Sequence, residues 1–206
     1  FQLLPGLTWS DGAPLTSADS VFSYQVAKHP QTPVNKYDIY RTADYTAQDD
    51  VTVQWVGKPG YLPSEFDTYF WLPLPAHLLQ GYEPEELLTA EATTRKPVGW
   101  GPYILVEWVA GDHITLAKNP SYFRASEGLP AFNPLVFRFL GEPSDNNLAA
   151  VQTGECDVVD ATARLDDQIE PITELEQAGK LTAYFGQGPE WEHLDFGIRP
   201  ASHDDG

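Results

Sequence analysis

Methionine is absent from this 206-residue chain, and cysteine occurs once, at Cys156. One thiol closes no internal disulfide, so covalent stapling is excluded and the redox compartment is left open. Cys156 reads as a small buried filler rather than a reactive thiol. Basic residues are scarce: 12 Lys and Arg stand against 30 Asp and Glu, a formal net charge of −18. Such a surface repels phosphate backbones and anionic lipid, which argues against nucleic-acid binding and against a membrane-surface role. Solubility alone accounts for the excess charge. No apolar run approaches the roughly 18 residues that a spanning helix needs. Catalytic signatures are missing as well. There is no G-x-S-x-G elbow, no G-x-x-x-x-G-K-[ST] loop and no H-E-x-x-H pair. His29, His77, His113, His193 and His203 lack metal-ligand spacing. The acid pairs Asp49-Asp50, Glu85-Glu86 and Asp166-Asp167 read as solvated surface. No catalytic residue, cofactor or metal ligand is expected. The chain opens on Phe1 without a leader, which reads as a segment of a longer protein.

What is present is a folded composition, 42% apolar and 20% charged. The chain centres on Lys96-Pro97-Val98-Gly99-Trp100-Gly101-Pro102-Tyr103. Prolines flanking two glycines predict a bend in which Gly99 and Gly101 take positive φ, so that Gly101→Val would be excluded. Alternation from Ile104 to Ala110 predicts a strand, Gly111-Asp112 a turn, and His113 to Ala117 the returning strand, stopped at Asn119-Pro120. Upstream, Trp9-Ser10-Asp11-Gly12 reads as a turn. Thr16 and Asp19 form a capping box for a helix ending at Pro30. His29 to Tyr45 reads as a long polar loop, Val51 to Val56 as a strand, and Pro84 to Leu88 as a short helix. Downstream, Leu135 to Leu140 is a strand, Ser144 caps a helix to Gln152, and Gly154 closes it. Asp157-Val158-Val159 then completes a right-handed βαβ unit with a parallel pair. Leu165 to Gly179 is helical with an interruption at Pro171. Leu181 to Phe185 and Glu190 to Gly197 are strands.

Three of these stretches carry a resemblance. Trp9-Ser10-Asp11-Gly12-Ala13-Pro14-Leu15-Thr16, the Pro97-to-Tyr103 turn with Asn119-Pro120-Ser121-Tyr122-Phe123, and Gly154-Glu155-Cys156-Asp157 occur in the order found in bacterial extracellular solute-binding proteins of family 5. Pro75-Ala76-His77-Leu78-Leu79 is similar to a further segment of that family. Trp100 departs from it, standing where the family usually has a small residue. The resemblance implies an α/β fold, a mixed-sheet lobe of the two-lobed type II periplasmic-binding architecture. It assigns 1–95 to a subdomain resembling lobe Ib, and 96–206 to part of lobe Ia ending at the crossover to a missing lobe II.

The same resemblance implies a monomeric, extracytoplasmic receptor, periplasmic or a cell-surface lipoprotein. It would close two lobes around a small molecule or oligopeptide and deliver it to an ABC permease. The family also includes nickel-chelate binders. By position in the family, Tyr37, Tyr40, Tyr69 and Trp71 are the candidate ligand contacts. Trp100 and Trp191 join them because they fall at predicted bends or near the hinge. For each, packing in the core is the competing reading. Two other classes stay open: a carbohydrate hydrolase with an acidic pair in an aromatic cleft, and a solute-sensing regulatory domain of the same fold.

Overall fold

The structure, a computed structural model, describes residues 1–141, 145–163 and 165–186. The chain divides into two compact units, 1–139 and 140–206, and its fold is α/β.

In the first unit, helix α1 (Ser17–Lys28) starts where the sequence places it. The Asp19 carboxylate accepts the Thr16 N–H at 2.9 Å, satisfying a backbone donor that the first turn leaves free. At the other end the Lys36 ammonium donates to the carbonyls of Ala27 and His29, the latter at 2.7 Å. That puts a cation on the negative end of the helix. Tyr24 and Ala27 of α1 pack against Ile39, Tyr45 and Val53 to make the core.

Ile39 lies in α2 (Tyr37–Arg41), Tyr45 in strand β1 (Thr42–Ala47) and Val53 in β2 (Val53–Gly57). The expected polar loop over 29–45 is therefore a short helix and most of a strand. Two buried anchors, Ile39 and Tyr45, suffice to fold it, and the polar residues between them hid the pattern. β1 and β2 pair antiparallel with Tyr45 opposite Trp55. Phe1 to Leu3 extends this ladder, Val53 N–H donating to the Phe1 carbonyl at 3.0 Å and Leu3 N–H to that of Val51 at 2.7 Å.

The extended segment 70–76 is laid along α1 by side chains rather than by a ladder. Ser20 Oγ donates to the Trp71 carbonyl at 2.5 Å and shares a 2.7 Å bond with the Tyr45 hydroxyl, which accepts the Trp71 N–H at 3.1 Å. Ser23 Oγ accepts the Leu74 N–H at 2.8 Å, and Asp19 Oδ1 the Ala76 N–H at 3.1 Å. The segment runs into α3 (Ala76–Leu79), a 3-10 turn at Glu86–Leu88 in place of the expected short helix, and α4 (Glu91–Thr94).

Strands β3 (Tyr103–Val109), β4 (His113–Lys118) and β5 (Leu135–Arg138) form an antiparallel sheet in that order. The β3–β4 hairpin is as expected. Gly111 takes φ +79 in its turn, a conformation that disfavours a side chain. A bulge between Leu105 and Glu107 breaks the predicted alternation and leaves Val106 exposed. The central bend needs a correction. Neither Gly99 nor Gly101 has left-handed φ, and a Cβ built on either meets nothing within 4 Å. The argument against Gly101→Val therefore falls.

In the second unit, α5 (Asp145–Gln152) is followed by Gly154 at φ +72, as expected of a helix stop. A 3-10 turn at Asp166–Gln168 leads into α6 (Ile169–Gln177). Pro171 is the third residue of α6, where its missing N–H would have no intrahelical partner, so it does not interrupt the helix. Residues 157–159 and 181–185 carry no strand, and Val158 and Tyr184 are largely exposed. The expected βαβ unit is therefore not formed among the described residues. Apolar content marked these stretches as strands, but no neighbour among the described residues completes a ladder. The Ser144 cap and the strand from Glu190 to Gly197 lie outside the described residues. Among the described residues no helix is long and apolar enough to cross a membrane.

Asp19 is buried and fixes the α1 start and segment 70–76 together. Asp19→Ala removes two backbone bonds to an ionised acceptor, and unfolding in urea should show a loss of about 3 kcal/mol. Asp19→Asn, which keeps one acceptor oxygen, should lose less.

Candidate functional site

The first turn, the central bend and the Asn119 stop singled out in the sequence meet through hydrogen bonds. Ser10 N–H, in the Trp9-to-Gly12 turn, donates to the Gly99 carbonyl at 2.8 Å. Asn119 is 1% exposed. Its Nδ2 donates to the Gly101 carbonyl at 2.8 Å and its Oδ1 accepts the Ser121 N–H at 2.9 Å. Its own backbone N–H donates to the Pro102 carbonyl at 2.9 Å. One buried amide thus clamps the central bend to the end of β4, which explains why an asparagine precedes Pro120. Asp11 Oδ2 lies 2.7 Å from His77 Nε2, joining the first turn to α3. Trp9 is buried beside them, its ring 6.2 Å from that of His77.

The aromatic candidates fall into separate groups. Tyr37 is 54% exposed. The Arg41 guanidinium lies 3.2 Å from the centroid of its ring and 5.3 Å from that of Tyr61. Tyr61 meets Tyr69 edge-on at 6.0 Å, their hydroxyls bonded, and Tyr69 packs on Trp55 at 4.5 Å. Tyr37 and Tyr69 are therefore the two ends of one run that passes through Arg41 and Tyr61. Tyr69 is only 2% exposed, so this chain's own atoms cover its ring. Burial raises its phenol pKa above the ordinary tyrosine value, and Tyr61 and Asp38 add to the shift. Tyr40 is 68% exposed.

Trp71 stands apart from that run, half-buried, with its ring 5.8 Å from that of Tyr24. Its backbone is fixed by Ser20 and Tyr45, while its indole N–H is buried with no partner among the described residues. Trp100 is half-buried between Gly99 and Gly101. Trp191 lies outside the described residues. Sequence reading missed Arg41 and Tyr61. The i, i+4 spacing of Tyr37 and Arg41 would have shown the first contact had the stretch been read as helix.

Among the described residues no group of three or more His, Cys, Asp or Glu is placed to hold a metal ion. In unit two, a depression of about 340 Å³ is lined by Leu140, Asn146, Ala149, Ala150, Thr153 and Glu155. It contains none of the candidate aromatics.

Residues 1–203 match the sequence profile of the bacterial extracellular solute-binding proteins, family 5 Middle. A substrate-binding protein of an ABC transporter, CtaP of Listeria monocytogenes, is 31% identical in its crystal structure and superposes with a TM-score of 0.63, covering 75% of this chain and 31% of that one. The oligopeptide-binding protein AppA of Bacillus subtilis is 25% identical over 75% of this chain and 28% of its own length. An oligopeptide-binding protein of Thermotoga maritima, solved with mannohexaose bound, is 26% identical with a TM-score of 0.62, over 75% of this chain and 28% of that one. The chain spans about a quarter of the length of the curated relatives it matches, 27% and 28% for two of them.

The Asp11–His77 link gives a pH prediction. Partial burial pushes the Asp11 carboxyl up, but bonds from His77 and the Ala13 N–H outweigh it and hold the pKa below the ordinary value. A folded pKa below the unfolded one contributes stability above the unfolded value. That stability is lost as pH falls through the folded value. Acid titration of the wild-type chain should therefore show a loss below about pH 4 that Asp11→Asn lacks. The variant should be the less stable of the two at pH 7.

Proposed function

The chain belongs to the bacterial extracellular solute-binding proteins, family 5, and on that premise we propose that it forms part of a receptor that captures a solute for an ABC importer. The ligand class is oligopeptide, and the site of action is extracytoplasmic, in the periplasm or on a cell-surface lipoprotein. No bond is made or broken. Closure of two lobes around the ligand shifts an open–closed equilibrium, and the closed form engages the membrane permease. The receptor acts as a monomer. Residues 1–95 belong to lobe Ib and 96–206 to lobe Ia.

The observation that carries this reading is the family match over residues 1–203. The peptide-binding names of relatives support the ligand class. Tyr37, Tyr40, Trp71 and Trp100 offer accessible aromatic surface to a ligand, and Trp191 remains a candidate by its place in the sequence alone. Tyr69, covered by its neighbours, is the weakest of the candidate contacts. The mannohexaose-bound relative supports an oligosaccharide as the second ligand class.

Affinity in a two-lobed receptor comes from enclosure, and a partial site leaves the ligand wet on one side. Calorimetry of this chain against a peptide library should give a Kd of about 1 mM or weaker, near −4 kcal/mol. Tyr37→Ala and Trp71→Ala should weaken it further. Micromolar binding by this chain alone would contradict an interlobe site. Binding of manno-oligosaccharides with no response to peptides would move the ligand class.

A further inference from the structure

In a chain of net charge −18, no carboxylate lies within 4.0 Å of the Arg41 guanidinium among the described residues, whereas Lys96 pairs with Glu91 and Arg124 with Glu127. Several lysines share that lack of a partner, and what sets Arg41 apart is its aromatic setting. Asp38, on the same short helix, acts on the Tyr69 phenol instead. One Arg41 bond is formed, Nη1 donating to the Tyr37 carbonyl at 3.2 Å. A guanidinium carries five N–H donors in a planar fork, so most of its donor capacity is unspent. The group lies over the Tyr37 ring, 3.2 Å from its centroid, and 5.3 Å from that of Tyr61. A separation as short as that to Tyr37 requires the guanidinium to lie nearly flat on the ring, which directs its N–H groups sideways, toward an acceptor in the plane. Arg95 also lacks a carboxylate partner, but the ring it covers is that of Trp108 on β3, which is not among the candidate contacts.

We propose that Arg41 is the anchor for a carboxylate of the bound solute, with Tyr37 holding the guanidinium flat and supplying the adjacent apolar wall. The ligand would then carry a free carboxylate, from a peptide C-terminus or an acidic side chain. This rests on the peptide-receptor reading and narrows it to the ligand's charged group. An acidic protein repels anionic solutes at long range, so a short-range fork with no carboxylate partner among the described residues suits their capture.

The test is an NMR titration of the whole chain, following the Arg41 Nε–Hε signal, which reads millimolar binding directly. The probes are random-sequence pentapeptides lacking Asp and Glu, as free acids and as C-terminal amides, and a third set of amides containing one Glu. The expected result is that the free acids shift the Arg41 signal and bind about tenfold or more tightly than the amides, as loss of a charge-assisted bond requires. Arg41→Gln should abolish that difference, and Arg41→Lys should retain part of it. A shift with the Glu-containing amides as large as with the free acids would support the carboxylate anchor and assign its source to a side chain. Equal binding of acids and amides with Arg41 unshifted would overturn the anchor while leaving peptide binding intact. No binding of any peptide at concentrations about a hundredfold above 1 mM would overturn the receptor reading and the anchor with it. The comparison of acids with amides is made on the wild-type chain, so it holds even if a variant fails to fold.

Discussion

A buried carboxylate, Asp19, sets the terms for the first unit. Ionised side chains are rarely buried without full pairing, because the cost of removing them from water is several kcal/mol. Here the cost is offset by backbone N–H groups from two separate stretches, Thr16 at the α1 start and Ala76 at the α3 start. Those donors would otherwise be stranded at helix ends. The same face of α1 then uses Ser20 and Ser23 to hold the backbone of Trp71 and Leu74. Small hydroxyls succeed where larger side chains would not, because the extended segment must approach the helix backbone closely. α1 thus has two buried faces of different chemistry: an apolar one, Tyr24 and Ala27, on the β1–β2 sheet, and a polar one on segment 70–76.

This division explains what could be read in advance. The capping box, the β3–β4 hairpin and the α5 stop were legible because each is local: the residues that define it lie within a few positions of each other. The Trp9-to-Gly12 turn and the Asn119-Pro120 stop were legible for the same reason. The bonds that join them were not, since Ser10 to Gly99 and Asn119 to Gly101 span long separations and no spacing rule encodes them. Ile39 and Tyr45 were hidden because a core of five residues needs few anchors, and polar neighbours outnumbered them. Apolar runs at 157–159 and 181–185 misled in the opposite direction, because a strand needs a partner as well as a pattern. The φ of Gly99 and Gly101 could not be inferred from composition: proline neighbours restrict the bend without requiring the left-handed region.

The candidate site shows the same split. Exposure separates Tyr37 and Tyr40 from Tyr69, and no feature of the sequence distinguishes one tyrosine from another. Arg41 acquires meaning only once Tyr61, twenty positions on, is seen beside it. The candidate surface and the structural network are nonetheless connected. Trp71 is held through its backbone by Ser20 and Tyr45, and Tyr45 also belongs to the core. A ligand touching Trp71 therefore touches a side chain whose position is set by α1. The Trp71 backbone is fixed by polar bonds before any ligand arrives, so a solute binding there as proposed would not have to order it, which lowers the entropic cost of capture.

The central claim is that α1, β1 and segment 70–76 form one cooperative unit through buried polar side chains. Native-state hydrogen exchange at the amides of Thr16, Trp71, Leu74 and Ala76 tests it most directly, since each donates to one of those side chains. The account predicts that all four exchange through a single opening, with one free energy and one denaturant dependence. Exchange of Trp71, Leu74 and Ala76 through small local fluctuations, with Thr16 still protected, would contradict it.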